Sequence, residues 1–551
     1  MKRQWWKEAV CYQVYPRSFK DSNGDGIGDI NGITEKLDYL KALGIDVIWV
    51  SPIYDSPNDD NGYDISDYQN IMSDFGTMED FDRLLLETHQ RGMKLIMDLV
   101  INHTSDEHPW FIEAKTSENS EYRDWYIWQD SKDGKEPNNW ASIFEGSAWE
   151  YEPVSEQYYF HTFSRKQPDL NWDNQDMRLA IYNMINWWLD KGIDGFRVDA
   201  ISHIKKSFDK GDIENPEGLD YVQSFTRHMN QPGIQTYLEE LKRETFERYD
   251  IMTVGEANGV TIEDSNEWVG EEDGKFNMVF QFEHLKLWEL YDKTLNILKY
   301  KNILSNWQVG LHNRGWNALF IENHDRPRIP STWGSEDYRM ESATAHGAVY
   351  FLQQGTPFIY QGQEIGMTNY PFTDITEFDD VHAKNIYNMD LAMGRKAEDI
   401  IADLQLNSRD NSRTPMQWDD SENAGFSEGK PWMKVNPNYT TINVQEEERN
   451  EHSVLNFYKK MIQFKKSHDI VTYGDFKLIY AEDEHVFAYE RTLDNEKLYV
   501  IGNLSDKEVT LHSEDIQYNS EDIVLNNYVI EAHNDTSLSL KPFETRVYYV
   551  K

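Results

Sequence analysis

Along the first two-thirds of the chain, short apolar runs alternate with helix-period patterns, and their order predicts the fold. Eight runs read as strands: "AVCYQVYP" (9–16), "DVIWVSP" (46–52), "KLIMDLVINH" (94–103), "IDGFRVDA" (193–200), "DIMTVGEA" (250–257), "NMVFQFE" (277–283), "NALFIENHD" (317–325) and "TPFIYQGQE" (356–364). Helical patterns fall between them at 33–43, 79–90, 176–191, 235–248 and 337–353. In 176–191, Met177, Ile181, Met184, Ile185 and Trp188 share one face, with Asp176 as a start signal and Gly192 as a stop. Eight strands each followed by a helix predict an α/β chain built as a (β/α)8 barrel, whose working face lies at the C-terminal ends of the strands.

Two departures from a minimal barrel divide the chain. About seventy residues separate His103 from the helix at 176, too many for an ordinary loop, and they are rich in aromatics ("EYRDWYIWQD", "NNWASIF", "EQYYFHTFS"). This stretch reads as a small inserted domain after strand three. From about 475, after a last barrel helix at 453–466, short strands and turns ("HVFAYERTLDNEKLYVIGNLSD", "FETRVYYV") predict an antiparallel β-sandwich. The expected organisation is barrel 1–103, insert 104–174, barrel 175–474 and sandwich 475–551.

Composition narrows the chemistry. A net charge of −43 repels phosphate backbones and anionic lipid, which argues against nucleic acid or a membrane as partner. No apolar run reaches membrane-spanning length. Glu8 interrupts the N-terminal apolar stretch and no secretory cleavage pattern follows, so a cytoplasmic monomer or homodimer without an organic cofactor is expected. The lone Cys11 excludes an intrachain disulfide. Most of the 97 Asp and Glu residues must be solvated surface, so interest falls on the few at strand ends.

His103, Asp199, Glu256 and the pair His324–Asp325 each end a different predicted strand. One strand-end His is more often a core residue than a ligand, but four strands delivering polar groups to one rim indicate a site. In "KGIDGFRVDAISH" (191–203), Arg197 and Asp199 lie two residues apart in a strand and so point the same way. Two carboxylates at a barrel mouth, one beside an Arg, suggest glycoside hydrolysis, which needs one ionised and one protonated carboxyl. On this reading Arg197 keeps Asp199 ionised, while Glu256, with no basic neighbour in sequence, is protonated through burial.

At these residues the chain resembles the α-amylase superfamily, glycoside hydrolase family 13, over essentially its whole length. "DLVINH" (98–103), "GFRVDA" (195–200), "GEA" (255–257) and "ENHD" (322–325) match that family's four motifs in order and spacing. "QPDLNW" (167–172) is similar to a further motif of its oligo-1,6-glucosidase/α-glucosidase subgroup. The resemblance implies Asp199 as nucleophile, Glu256 as general acid/base and Asp325 as transition-state stabiliser, with His103, Arg197 and His324 binding the glucosyl unit. It also implies that Asp60 and Tyr63 hold the non-reducing-end glucose, and that Arg413 pairs with Asp60 to close the pocket behind it. Phe144, Phe163 and Phe282 are candidate pocket walls. A pocket closed in this way predicts an exo-acting α-glucosidase taking small α-glucosides.

Two segments carry further expectations. "DSNGDGIGD" (21–29) offers oxygens from Asp21, Asn23, Asp25, the Ile27 carbonyl and Asp29, with Gly26 where a calcium loop turns sharply. The twelfth place is Gly32 rather than Glu, yet the subgroup's ion site at this motif implies a structural Ca²⁺, with Mg²⁺ as the alternative. Ala200 follows the nucleophile where α-1,6-cleaving relatives resemble one another in having Val, which points to α-1,4 preference. Rival activities are oligo-1,6-glucosidase, sucrose isomerase and trehalose-6-phosphate hydrolase. Isomerases carry an Arg/Asp-rich segment after strand six, where this chain reads "FEHLKLWELYD" (282–292). A non-catalytic transporter subunit of the same fold would need a transmembrane helix and would lack these carboxylates.

Overall fold

The computed structural model describes residues 2–288, 294–512, 519–530 and 537–551. Eight parallel strands form the central sheet: β1 (Cys11–Val14), β2 (Val47–Val50), β3 (Lys94–Val100), β4 (Gly195–Asp199), β5 (Met252–Ala257), β6 (Met278–Gln281), β7 (Ala318–Leu319) and β8 (Thr356–Tyr360). Their order is β6-β5-β4-β3-β2-β1-β8-β7, and a parallel bridge from Val279 to Asn317 joins the two ends, closing the barrel. All eight predicted strands are present. The seventh is much shorter than its apolar run, because the chain leaves the ladder after Leu319 and "ENHD" becomes loop.

Alternation along each strand decides what faces the barrel axis. Cys11, Val47, Trp49, Ile96, Met252, Val254, Met278, Phe280 and Phe358 form one buried cluster inside. Tyr12, Ile48, Leu95, Met97, Phe196 and Val198 belong to the larger cluster under the helices. Gly195 lets β4 and β5 approach: a Cβ there would sit 1.8 Å from the Met252 carbonyl oxygen, at a φ of +139°.

The helices follow the sequence with local adjustments. The 33–43 segment breaks at Lys36 into Ile30–Glu35 and Leu37–Leu43, and 235–248 ends its α-helical part at Glu244. The helix Gln175–Lys191 is capped by Asn174, whose side chain accepts from Met177 N, and not by Asp176; Gly192 stops it at φ 105°. Between β3 and this helix, Trp128–Asp130, Trp149–Glu152 and Gln157–Phe160 make a three-stranded antiparallel sheet. Beyond the barrel, five strands (Asp475–Ile479, Val486–Leu493, Glu496–Asn503, Ile523–Asn526, Thr545–Val550) form an antiparallel sheet. A ribbon of Val509–His512 and Ser537–Leu540 packs on it through Leu511, Leu538 and Leu540. Among the described residues no helix is long and apolar enough to cross a membrane.

Candidate active site

The floor of the site follows from the alternation. On β3, Asp98 shares the inward side with Ile96; on β4 and β5, Arg197, Asp199 and Glu256 continue the inward rows. Arg197 is level with Asp98 and Val254, one step below Asp199. Its guanidinium, 4% exposed, gathers three carboxylates: Nη1 reaches Asp98 at 2.8 Å and Asp199 at 2.6 Å, and Nη2 reaches Glu256 at 2.6 Å. The Ala200 amide donates to the same Glu256 oxygen at 3.0 Å. Asp98 also accepts from Tyr63 Oη and Trp49 Nε1, so it is a buried anchor for Arg197. Asp194 is structural, bonded to His89, Lys94 and the Leu95 amide.

This geometry corrects the electrostatic expectation in two places. Glu256 does have a basic neighbour, brought by strand pairing and not by its own sequence. Asp199 is not pushed down. Burial raises its carboxyl well above the usual carboxylate range against the attraction of Arg197, and repulsion from Glu256 and Asp98 adds to the effect of burial. One guanidinium cannot neutralise three buried carboxylates, and Glu256 lies within hydrogen-bonding reach of Asp199, which favours a proton on Asp199.

The opposite wall descends from the loop after β7. His324, pushed down to about 3 chiefly by burial, is neutral. Gln13 Nε2 lies 2.8 Å from its Nδ1 and can only donate, so Nε2 carries the hydrogen, with Asp325 3.2 Å away. Burial opposes ionisation of Asp325, but His324, Arg409, Arg413 and Arg197 outweigh it and hold the carboxyl well below the usual range.

Arg413 does not pair with Asp60. Its Nη2 binds Asp325 at 2.8 Å and its Nε the His324 carbonyl at 3.0 Å, fully buried behind the wall. The partner of Asp60 is Arg409, at 3.1 Å, which also reaches Asp325 at 3.4 Å and pairs with Asp380. Arg409 lies one helical turn before Arg413, within a repeated "NSR" (407–409 and 411–413). That repeat was the available signal, and it does not say which copy faces the pocket. Asp380 and His382 had no such signal.

Asp60 is completed by Gln167 Nε2 at 3.1 Å, from the "QPDLNW" segment. Tyr63 stacks on His324 with centroids 5.2 Å apart. His103 Nε2 meets the Tyr63 carbonyl at 3.0 Å and its ring packs against Phe163. Phe144 lies under Arg409, with the guanidinium 4.8 Å from the ring centroid. Asp60, Tyr63, His103, Phe144, Phe163 and Arg409, with Asp199, Glu256, Phe282, His324 and Asp325, line one cavity of about 330 Å³. Arg197 and Arg413 stand behind its surface. Helices Val381–Ala392 and Ala397–Asn407 cover part of the mouth.

The 21–29 loop lies elsewhere. Asp21 accepts from the amides of Asn23, Gly24 and Gly26 and from Ser427, and Asn23 and Asp25 each turn back onto an amide two residues on. Asp29 caps the following helix through the Gly32 amide. Gly26 is obligatory, at φ +92° with the Lys430 carbonyl oxygen 1.8 Å from a would-be Cβ. The oxygen-only donor set suits a hard cation. Three or more His, Cys, Asp or Glu side chains do not converge as a metal cluster here or elsewhere among the described residues.

Comparisons with known proteins assign this barrel to a family. The family model described as the alpha amylase catalytic domain matches residues 13–474, and one described as the alpha-amylase SusG C-terminal domain matches 486–547. The chain belongs to the α-amylase family, glycoside hydrolase family 13, and is a glycoside hydrolase. It is 56% identical over 551 residues to a probable oligo-1,6-glucosidase 3 of Bacillus subtilis, covering all of both chains. Among solved structures it is similar to a trehalose-6-phosphate hydrolase of Bacillus licheniformis (TM-score 0.93, 45% identical, 99% of this chain and 100% of that one). It is equally similar to an isomaltulose synthase of Klebsiella sp. LX3 (TM-score 0.94, 44% identical, 100% of both).

Proposed function

We propose that the protein is a retaining exo-α-glucosidase that releases α-glucose from the non-reducing end of short α-glucosides. The carrying observation is the pairing of Arg409 with Asp60, Asp325 and Asp380, which lines the same cavity as Asp199 and Glu256. A bridge there leaves room for one terminal glucose and blocks a chain from running through. In the resting site burial favours a proton on Asp199, beside Glu256. Substrate entering between them draws that proton to the glycosidic oxygen through Glu256, and Asp199, left with Arg197, attacks the anomeric carbon. Glu256 then deprotonates the water that releases the sugar. Asp325, held ionised, stabilises the positive charge that develops on the ring. A hydrogen-bonded carboxyl pair is far closer than the roughly 6.5–9.5 Å an inverting enzyme needs.

For linkage, we read a preference for α-1,4 bonds. Ala200 lines the cavity beside Asp199, and a β-branched residue there would narrow the entrance to the second sugar. The second reading, α-1,6 cleavage, is favoured by the names of relatives such as the Bacillus subtilis protein. Isomerase activity is disfavoured by the absence of Arg in 282–292, of which 289–292 lie outside the described residues. A panel of maltose, isomaltose, sucrose, trehalose and maltotriose separates these readings, with maltose preferred. Ala200→Val should shift kcat/KM towards isomaltose by about 10–200-fold. Ala200 sits at φ 44°, so melting curves must accompany the kinetics of that variant. Isomaltose preferred by the wild type rejects the α-1,4 reading. We further infer that the 21–29 loop holds one Ca²⁺ that serves stability alone.

A further inference from the structure

The loop 56–64, between the short strands Tyr54–Asp55 and Asp67–Ile71, carries both Asp60 and Tyr63 to the cavity. Its backbone needs support, because Asn58 and Asn61 stand at φ 62° and 50°, with Gly62 at φ 99°. Asp64 sits inside this curl with none of its surface exposed. Its Oδ2 accepts from the Asp59 amide at 2.8 Å. Its Oδ1 accepts from the Asp60 amide at 3.0 Å and from Ser56 Oγ at 3.1 Å. Ser56 Oγ accepts in turn from the Asn58 amide at 3.0 Å. Asp60 is thus held at both ends, by Asp64 at its backbone and by Arg409 and Gln167 at its carboxylate.

Asp64 is a buried carboxylate with no ion-pair partner among the described residues, and the charges that face it, Asp59 and Asp60, have its own sign. From the segments packed on this loop, Arg409 turns to Asp60, Ser164 Oγ to Asp59 and His103 Nε2 to the Tyr63 carbonyl. Burial and the two like charges push the Asp64 carboxyl up to about 7, against the pull of the two amides. When ionised it accepts on both oxygens. A proton turns one oxygen into a donor, which cannot serve the amide in front of it.

We propose that Asp64 is a positioning residue for substrate binding, its carboxylate clamping the Asp59 and Asp60 amides so that the Asp60 side chain stays where the terminal glucose is held. Asp64 does not itself line the cavity and acts only through Asp60. Protonation frees one amide and loosens Asp60, so affinity for glucosides follows the ionised form. This rests on the glucosidase reading above, which gives Asp60 its role.

The test is steady-state kinetics on maltose across the neutral pH range, with kcat and KM read separately. In the wild type KM should fall as pH rises through about 7. Asp64→Asn offers one acceptor to two amides at every pH, so its KM should be about 10-fold higher and level through that range, with kcat nearly kept. Ser56→Ala removes one hydrogen bond from the ionised form and should move the KM transition up by roughly one pH unit. That variant keeps both amide contacts, and with the wild-type profile it decides the matter even if Asp64→Asn does not fold. A wild-type KM that is level through pH 7, the same transition in Asp64→Asn, an unmoved one in Ser56→Ala, or a loss carried by kcat overturns the proposal. Release of glucose from maltose by the wild type tests the glucosidase reading separately.

Discussion

Replacing Arg409 by Met removes the charge that pairs directly with both Asp60 and Asp380, each nearly fully buried. Leaving a buried charge unpaired costs about 3–5 kcal/mol. Asp60 can relieve part of this by taking up a proton. Burial already raises its carboxyl, and Arg409 is the strongest opposing influence. A protonated Asp60 no longer offers sugar hydroxyls a charge-assisted acceptor, worth about 1.5–3 kcal/mol. Losing one such bond predicts a fall of roughly 10–150-fold in kcat/KM for maltose, carried mainly by KM. Arg413→Met should behave differently, because Arg413 holds Asp325 at 2.8 Å and does not touch Asp60. Its loss should appear in kcat, since Asp325 acts on charge that develops in the transition state. Steady-state kinetics of both variants, with melting curves to confirm folding, decide the matter. If Arg413→Met raises KM while Arg409→Met leaves maltose hydrolysis unchanged, the reasoning fails.

Because burial raises Asp199 and its ionised form attacks, the acid limb of kcat/KM should lie above the ordinary Asp value of about 3.9, with activity gained as pH rises through it. A pH profile with its acid limb at or below that value contradicts the electrostatics described. If the 21–29 loop holds Ca²⁺, removing it with chelator should lower Tm without changing turnover at low temperature. Identical melting of metal-free and Ca²⁺-loaded protein reduces the loop to a turn.

Most of the barrel was legible because its strands are short apolar runs whose ends carry the polar residues. Alternation then sends Arg197, Asp199 and Glu256 inward, and the sequence needs nothing beyond period two to say so. Pairings across the barrel were not legible. Arg197 and Glu256 meet through the register of β4 on β5, and Arg409 reaches Asp60 across 349 residues. Between Arg409 and Arg413, one helical turn apart, only the packed structure decides which faces the cavity. The helices Val381–Ala392 and Ala397–Asn407 also escaped the reading. Their buried residues pack in a small cluster with Phe372 and Phe378, away from the main core, so no long apolar face marks them.

The central claim is a double displacement at Asp199, and the configuration of the first product tests it most directly. Proton NMR during hydrolysis of p-nitrophenyl α-glucoside, at enzyme concentrations that outrun mutarotation, reports the anomeric proton of glucose as it forms. Retention predicts α-glucose first, with the β-anomer growing in later by mutarotation. β-Glucose appearing first would mean a single inverting displacement and would contradict the roles given to Asp199 and Glu256.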